Sequence, residues 1–502
     1  MHVLFVSAEI FPLAKTGGLA DISAALPLAL ANLGAEVRLL MPGYSQALAA
    51  AANKSTEIDL GNLSGIGCTR LVAANTPDTG LPVWLVDCPE LFQRAGGLYQ
   101  NEHGEDWPDN AQRFALFNHV AARIALGDLV PDWRPDVVHG NDWHAGLLPA
   151  LLHHARGQRP ATLFTIHNLA FQGKFPASIF PILGLPESAF SSDGVEFFGD
   201  VSFLKAGIRY SDCLTTVSPS YAREILTPEF GCGLDGLLRQ RVRRLSGILN
   251  GVDYRMWDPA ADPYLPANFG SRELSGKQVC KAALQCELEL EQVPDTPLII
   301  YLSRVTDQKM ADVVIQALPS ILERNVQFAL LGQGDPELEN RFRDVAGQYP
   351  GRLAVRIGYE EPLAHRFQAG ADILLHPSRF EPCGLTPLYS MRYGTVPIVR
   401  RIGGLADTIV DASDQAIRRR TATGFAFREP IAQSMIECLD RALALYKQPL
   451  AWRKVQQKAM NQDRGWAASA RRYAMLYRKL APQAAPIQGG IDNEGPIEKI
   501  AG

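Results

Sequence analysis

No stretch of the chain approaches the roughly 18 uninterrupted apolar residues that a helix needs to cross a bilayer, so a membrane-spanning helical protein is excluded. Clustered cysteines are missing too. The eight present lie scattered at positions 68, 88, 213, 232, 280, 286, 383 and 438, with no Cys-x-x-Cys and no tight His/Cys grouping. That pattern suits a reducing compartment and offers no structural zinc or iron-sulfur site. An excess of positive charge is also lacking. The 49 basic and 53 acidic residues leave a formal net charge of −4, so nucleic acid finds no broad cationic face and any bound anion must be held locally. The opening MHVLFVSAEIFPLAKTGG has neither a basic region nor a small-residue cleavage site. A first strand is expected there rather than a signal peptide, in a cytoplasmic protein with no membrane partner. Finally, the chain contains no Gly-x-Ser-x-Gly, no His-Glu-x-x-His and no Asp-x-Asp. This removes motif support for a hydrolase elbow, for a zinc protease and for a divalent ion under a nucleotide diphosphate. No metal and no resident cofactor are expected.

What is present is alternation. Residues 3–6 are short and apolar on both faces, as a parallel strand covered by helices is. A glycine loop at Lys15-Thr16-Gly17-Gly18 leads into a helix-compatible stretch over 19–33, and 37–42 reads as the next strand. Further strands are expected at 82–86, 137–139, 162–167 and 213–217. After an aperiodic stretch near 250–270, rich in Pro, Asp and Gly, the pattern restarts at 298–302, 326–331, 353–357, 373–376 and 396–399. A length of 502 residues with 47% apolar composition accommodates two cores. Short strands alternating with longer helices predict an α/β protein of two open parallel sheets, each covered on both faces. The expected divisions are 1–252, 253–458, a last helix within 459–480, and a disordered tail over 481–502. A helix near 435–446 is expected to stop at Pro449.

Open parallel sheets bind ligands beyond the carboxyl ends of their strands, where the polar, glycine-rich segments fall. The Lys15 to Gly18 loop follows the first strand. Its glycines permit close backbone approach and the helix behind it offers N–H groups to a diphosphate, although alone it fits a plain tight turn as well. Arg304 and Lys309 bracket a helix entry after the first strand of the second half. There a guanidinium and an ammonium could neutralise a leaving diphosphate, or could simply face solvent. Glu381 lies in the Pro/Gly-constrained run from His376 to Thr386, suited to sugar hydroxyls or to an oxocarbenium-like centre. Gly403-Gly404, after Arg400-Arg401, forms a second Gly-Gly loop. Asp142 beside Trp143 pairs a carboxylate for hydroxyls with a ring for a sugar face. His167 alone fits a satisfied core histidine, and in company with Asp142 it becomes a hydroxyl partner.

The ordered segments Lys15 to Asp21, Leu98 to Asp106, Asn141 to Gly146, Thr165 to Ala170, Pro219 to Ile225, Ile248 to Asp253, Ser303-Arg304 with Gln308-Lys309, Pro377 to Thr386 and Arg400 to Asp407 resemble the bacterial glycogen synthases, close to plant starch synthases. The likeness runs from residue 1 to about 477. It implies two Rossmann-like domains facing a deep interdomain cleft, the GT-B type, with the final helix returning to the first domain. It further implies retaining transfer of glucose from ADP-glucose to the non-reducing end of an α-1,4-glucan, metal-independent and assisted by the departing diphosphate. By the same likeness Lys15, Gly17 and Gly18 meet diphosphate and acceptor, Arg304 and Lys309 clamp the diphosphate, and Glu381 holds donor hydroxyls beside Cys383, Gly384, Leu385 and Thr386. His167 reaches the 6-hydroxyl, Asp142, Asn250 and Tyr99 line the sugar site, and Tyr359 stacks on adenine. Three departures stand out. Met310 occupies a usual glycine position and is expected to crowd the helix entry, Pro387 replaces a glutamine at an early helical turn, and Cys232 takes an aromatic position. The rivals are a same-fold transferase with another acceptor, a phosphorylase carrying pyridoxal phosphate, and a non-catalytic glucan-binding protein.

Overall fold

Segments apolar on both faces become buried strands in two separate units of the computed structural model, which describes residues 1–63, 65–485 and 487. The first unit is Met1–Gly251 together with the chain from Trp466 onward, and the second is Val252–Gly465. Residue 486 and residues 488–502 of the expected tail lie outside the described residues. Among the described residues no helix is long and apolar enough to cross a membrane.

The first unit contains β1 (His2–Val6), β2 (Glu36–Pro42), β3 (Glu57–Gly61), β4 (Thr69–Asn75), β5 (Pro82–Asp87), β6 (Val137–Asn141), β7 (Ala161–Ile166), β8 (Lys174–Pro176), β9 (Glu196–Phe197), β10 (Asp200–Ser202), β11 (Cys213–Thr216) and β12 (Leu245–Gly247). Its main sheet has the order β12-β11-β7-β6-β1-β2-β5-β4-β3, and β8, β10 and β9 form a small antiparallel sheet. From β12 to β5 every pairing is parallel. The far edge differs from the all-parallel expectation, because β4 pairs antiparallel with both β5 and β3. β3 alternates half-buried and exposed residues, the mark of an edge strand with one face open to water. The closing helix, Trp466–Leu480, packs in this unit. Its Tyr477 hydroxyl lies 2.7 Å from His139 Nδ1 in β6, and Ser469 Oγ donates to the Leu249 carbonyl at 2.5 Å.

The second unit holds β13 (Leu298–Leu302), β14 (Gln327–Gly332), β15 (Leu353–Ile357), β16 (Ile373–His376), β17 (Val396–Arg400) and β18 (Phe425–Phe427), all parallel, in the order β15-β14-β13-β16-β17-β18. Its core gathers Ile299, Tyr301, Val314, Phe328 and Ile398 with Trp452 and Val455. Those last two come from a helix the sequence reading missed. Pro449 does not merely stop the preceding helix, Ala432–Tyr446. It opens Pro449–Met460 from the first turn, where a missing N–H costs little. That helix runs through the expected 458/459 boundary, and the unit ends at Gly465. Both sheets build outward from their first strand in two directions. β1 lies between β2 and β6, and β13 between β14 and β16, which places a switch point beside each first strand.

Candidate active site

In the second unit two loops meet at the β13–β16 junction. The first leaves β13 through Ser303 and Arg304 into a single turn, Asp307–Lys309, before the helix Ala311–Leu322. The Tyr301 hydroxyl lies 3.2 Å from the Arg304 carbonyl and 3.0 Å from that of Lys309, which ties the loop to the strand beneath it. The second leaves β16 at Pro377 and reaches the helix Leu385–Arg392 through Gly384, whose φ of +85° favours a residue without Cβ. Polar tethers join them. Gln308 Nε2 donates to the Phe380 carbonyl at 3.2 Å, the Arg379 amide donates to the Gln308 carbonyl at 2.8 Å, and the Arg379 guanidinium grips both oxygens of Asp312 at 2.9 and 2.8 Å.

This scaffold brings Lys309 and Glu381, 72 residues apart in sequence, into a buried ion pair. Ser378 Oγ donates to the same carboxylate oxygen, Oε2, at 2.8 Å, and His376 Nε2 lies 3.3 Å from it and 3.4 Å from the lysine nitrogen. Among the described residues every one of these contacts uses Oε2. Burial alone would raise the Glu381 pKa. The adjacent Lys309 charge and the hydrogen bonds from His376 and Lys309 overcome it and hold the carboxyl far below its usual range. Burial lowers the pKa of Lys309, against the pull of Glu381, and burial likewise lowers that of His376. Gly404 packs against the backbone of this loop. Its amide donates to the Glu381 carbonyl at 3.0 Å, and a Cβ there would lie 2.1 Å from the Cys383 carbonyl oxygen. Cys383 is buried, with Leu385 and Thr386 in the helical turn beyond Gly384.

Arg304 and Lys309 part company here. Lys309 is buried on the carboxylate, while Arg304 is exposed and donates to Gln308 Oε1 at 2.9 Å. Tyr359, just past β15, is 54% exposed with its hydroxyl on the Glu361 carboxylate, and β14 separates its strand from β13. Met310 differs from the expectation of crowding. It adopts the left-handed backbone, φ +52° and ψ +34°, and its side chain points into the core, fully buried. Pro387 falls in the first turn of its helix, where no intrahelical donor is lost. Cys232 is exposed, with a positive φ of 48°.

In the first unit the corresponding cluster sits where β1, β6 and β7 end. Asp142 follows β6 at φ +58° and ψ −179°, a region that side chains avoid, held there as its amide donates to the Thr165 carbonyl at 2.9 Å. Its carboxyl is buried and Oδ1 has no partner. Burial outweighs hydrogen bonds from the amides of Trp143, Asn168 and His167 and, with the charge of Glu9, pushes it up to about 8. His167 Nε2 lies 3.0 Å from Asn141 Oδ1. Because the Asn141 amide nitrogen donates to the carbonyls of Val6 and His139, Oδ1 must accept. His167 therefore carries its proton on Nε2 and presents a bare Nδ1 with no partner. Burial pushes this histidine down to about 3. Asn250, just past β12, is buried with both amide atoms unpartnered, as are both ring nitrogens of His144. Tyr99 stacks on His144 with ring centres 4.4 Å apart, and Trp143 lies 4.0 Å from the same ring. Lys15 pairs with Asp21 at 2.9 Å in the first turn of the helix Gly18–Asn32.

Sequence reasoning missed His376, Ser378, Gln308, Asn141 and, above all, Glu9. The Glu9 carboxylate accepts from the amides of Thr16 at 2.7 Å and Gly17 at 3.1 Å, from Thr16 Oγ1 at 2.5 Å and from the Tyr99 hydroxyl at 2.7 Å. Two backbone donors of the loop expected to meet a ligand are thus occupied by the chain itself. The one signal available was an acid three residues past the end of an apolar strand.

Two Rossmann-like sheets, one carrying a buried cation–carboxylate cluster and the other a set of buried hydrogen-bonding groups without partners, define a glycosyltransferase of the GT-B class. The starch synthase catalytic domain family matches residues 2–240, and the glycosyl transferases group 1 family matches residues 289–459. The chain belongs to the glycogen synthase family. It is 53% identical over 483 residues to the glycogen synthase of Burkholderia thailandensis, covering 96% of this chain and 91% of that protein. It is 51% identical over 482 residues to that of Paramagnetospirillum magneticum, covering 96% and 98%. Among solved structures, the catalytic domain of starch synthase IV from Arabidopsis thaliana bound to ADP and acarbose matches with a TM-score of 0.87 at 30% identity, over 96% of this chain and 99% of that one. A sucrose-phosphate synthase from Thermosynechococcus elongatus, 17% identical with a TM-score of 0.59, shares the fold.

Proposed function

We propose that this glycosyltransferase moves glucose from ADP-glucose to the non-reducing end of an α-1,4-glucan in the cytoplasm, with retention of anomeric configuration and without a metal ion. The observation that carries the reading is the buried Lys309–Glu381–His376–Ser378 cluster. An ammonium has three N–H donors; one reaches Glu381, which leaves another for a phosphate oxygen. Arg304 adds a second cation at the same helix entry, and together they offset charge that develops as the C1–O bond to the diphosphate breaks. Glu381 Oε1 accepts donor-sugar hydroxyls. In the first unit His167 Nδ1 accepts a hydrogen bond from a sugar hydroxyl, while Asp142, Asn250 and Tyr99 serve further hydroxyls and a sugar face, and Lys15 with Gly17 and Gly18 completes the loop that meets diphosphate and acceptor. The acceptor oxygen bonds to C1 on the face the diphosphate leaves. Its proton passes to the departing phosphate oxygen, so the products are ADP and a glucan one residue longer. Tyr359, exposed beyond β15, supplies a ring for the adenine.

Transfer is tested by incubating the protein and glycogen with ADP-glucose or UDP-glucose side by side and identifying the new linkage by NMR. Faster incorporation from ADP-glucose with α-linkages is expected. No incorporation from either donor, or β-linkages, would overturn the reading.

A further inference from the structure

Glu9 is buried three residues past the end of β1. Its carboxylate accepts four hydrogen bonds. Oε2 takes the amides of Thr16 and Gly17, and Oε1 takes the hydroxyls of Thr16 and Tyr99. A carboxylate that accepts several such bonds is a strong constraint, since charge-assisted hydrogen bonds are short and about twice as strong as neutral ones. The bonds also join separate parts of the unit. Thr16 and Gly17 precede the helix Gly18–Asn32, whereas Tyr99 lies 90 residues from Glu9 and stacks on His144, two residues past Asp142. Anions commonly occupy backbone N–H groups at a helix entry. Here the chain supplies its own, and the amides left for a ligand begin at Gly18.

We propose that Glu9 is the positioning residue of the first unit's polar cluster, an internal anion that sets the Lys15–Gly18 loop and couples it through Tyr99 to the aromatic stack beside Asp142. The role is one of shape rather than of proton transfer. All four partners are donors, yet two are hydroxyls that can turn and accept. A glutamine can therefore point its oxygen at the Thr16 and Gly17 amides and its NH2 at the hydroxyls, which reproduces the geometry without the charge.

The inference rests on the transferase reading for its kinetic consequence but not for its structural one, and the test separates them. Amide hydrogen exchange at Thr16 and Gly17, ADP binding by calorimetry, and glucose-transfer kinetics are compared for the native chain, Glu9→Gln and Glu9→Ala. Glu9→Ala is expected to speed exchange at both amides at least tenfold and to lower kcat at least tenfold, with ADP affinity within twofold. Glu9→Gln should stay within threefold of native in every readout. Unchanged exchange in Glu9→Ala overturns the proposal. So does a Glu9→Gln enzyme with native exchange but the turnover of Glu9→Ala, because charge rather than position would then be required. Should Glu9→Ala fail to fold, Thr16→Val removes a single donor and must still speed exchange at Gly17, and native-like exchange there counts against the idea. A native chain that transfers no glucose would sink the transferase reading while the exchange data still decide the role of Glu9.

Discussion

The polar clusters of the two units occupy equivalent places, beside the first strand of each sheet, and differ in how their polar groups are satisfied. In the second unit charge is already matched: Lys309, His376 and Ser378 converge on one oxygen of Glu381. In the first unit Asp142 Oδ1, His167 Nδ1 and both amide atoms of Asn250 are buried and unmatched. A buried polar atom without a partner costs about 1–3 kcal/mol, so the first unit carries a debt that a hydroxyl-rich ligand can cancel. The second carries a preset field suited to a charged one. The contrast matches a division between hydroxyl recognition and charge stabilisation.

The largest expected effect breaks the matched side. Glu381→Ala leaves Lys309 buried without its counter-charge. Loss of one partner from a buried pair costs about 3–5 kcal/mol, which urea unfolding will show, and turnover is expected to fall roughly 100-fold or more as the preset electrostatics collapse. Near-native glucose incorporation by a folded Glu381→Ala protein would remove Glu381 from the mechanism. The next test uses the inequality of the two cations. Lys309→Ala is expected to weaken ADP binding by up to about 3 kcal/mol and to destabilise the fold. Arg304→Ala, at an exposed position, should also weaken ADP binding but leave unfolding within about 0.5 kcal/mol of native. Equal losses of stability in both variants would erase the distinction between buried clamp and surface cation.

The unmatched side is sharpened by pH. Asp142 is pushed up to about 8 in the folded state, from an ordinary value of 3.8. Between those values the native chain binds one proton more than the unfolded chain, so stability from this group is complete below the lower value and lost as pH rises toward 8. His167 acts oppositely. Lowered to about 3 from 6.5, it contributes stability above 6.5 that is lost as pH falls toward 3. From pH 6.5 to 8 only the Asp142 effect of this pair operates. Relative to Asp142→Asn, native stability should therefore fall there by at most about 1.4 kcal/mol per pH unit. Parallel stability curves for the two proteins, from urea titrations across that window, would show that Asp142 is ionised in the fold.

Much of this was legible in the sequence where composition changes abruptly. β1, β13 and β16 are apolar on both faces, and Arg304, Lys309 and Glu381 stand out as polar residues in the loops that follow such strands. What escaped has physical reasons. β3 and β4 carry charged and polar residues among their apolar ones and so lack the continuous apolar run that marked the buried strands, and Pro449 has the same chemistry whether it ends a helix or begins one. Glu9, Asn141 and His376 lie at or just past strand ends, where a polar residue reads as an interruption. Their partners are set by tertiary structure: the Glu9 to Tyr99 bond spans 90 residues and the Lys309 to Glu381 pair 72. Contacts at such separations follow from sheet order, which local pattern does not contain.

The smallest effect concerns the joint between matched charge and core. Met310 directly follows Lys309 and combines a left-handed backbone with a fully buried side chain in the second unit's core. Strain of that kind costs of the order of 1–3 kcal/mol in a residue with a Cβ, whereas emptying a buried methionine site costs about 2–5 kcal/mol. The two terms oppose each other in Met310→Gly, and the cavity term is the larger. The variant is therefore expected to lose about 1–2 kcal/mol in urea unfolding, the difference between the two ranges, while ADP affinity stays close to native because the Tyr301 hydroxyl still holds the Lys309 carbonyl. Met310→Ala keeps the strain and loses most of the packing, so it should be less stable than Met310→Gly. A glycine variant more stable than the native chain would mean that backbone strain, rather than core packing, dominates at the helix entry behind the clamp.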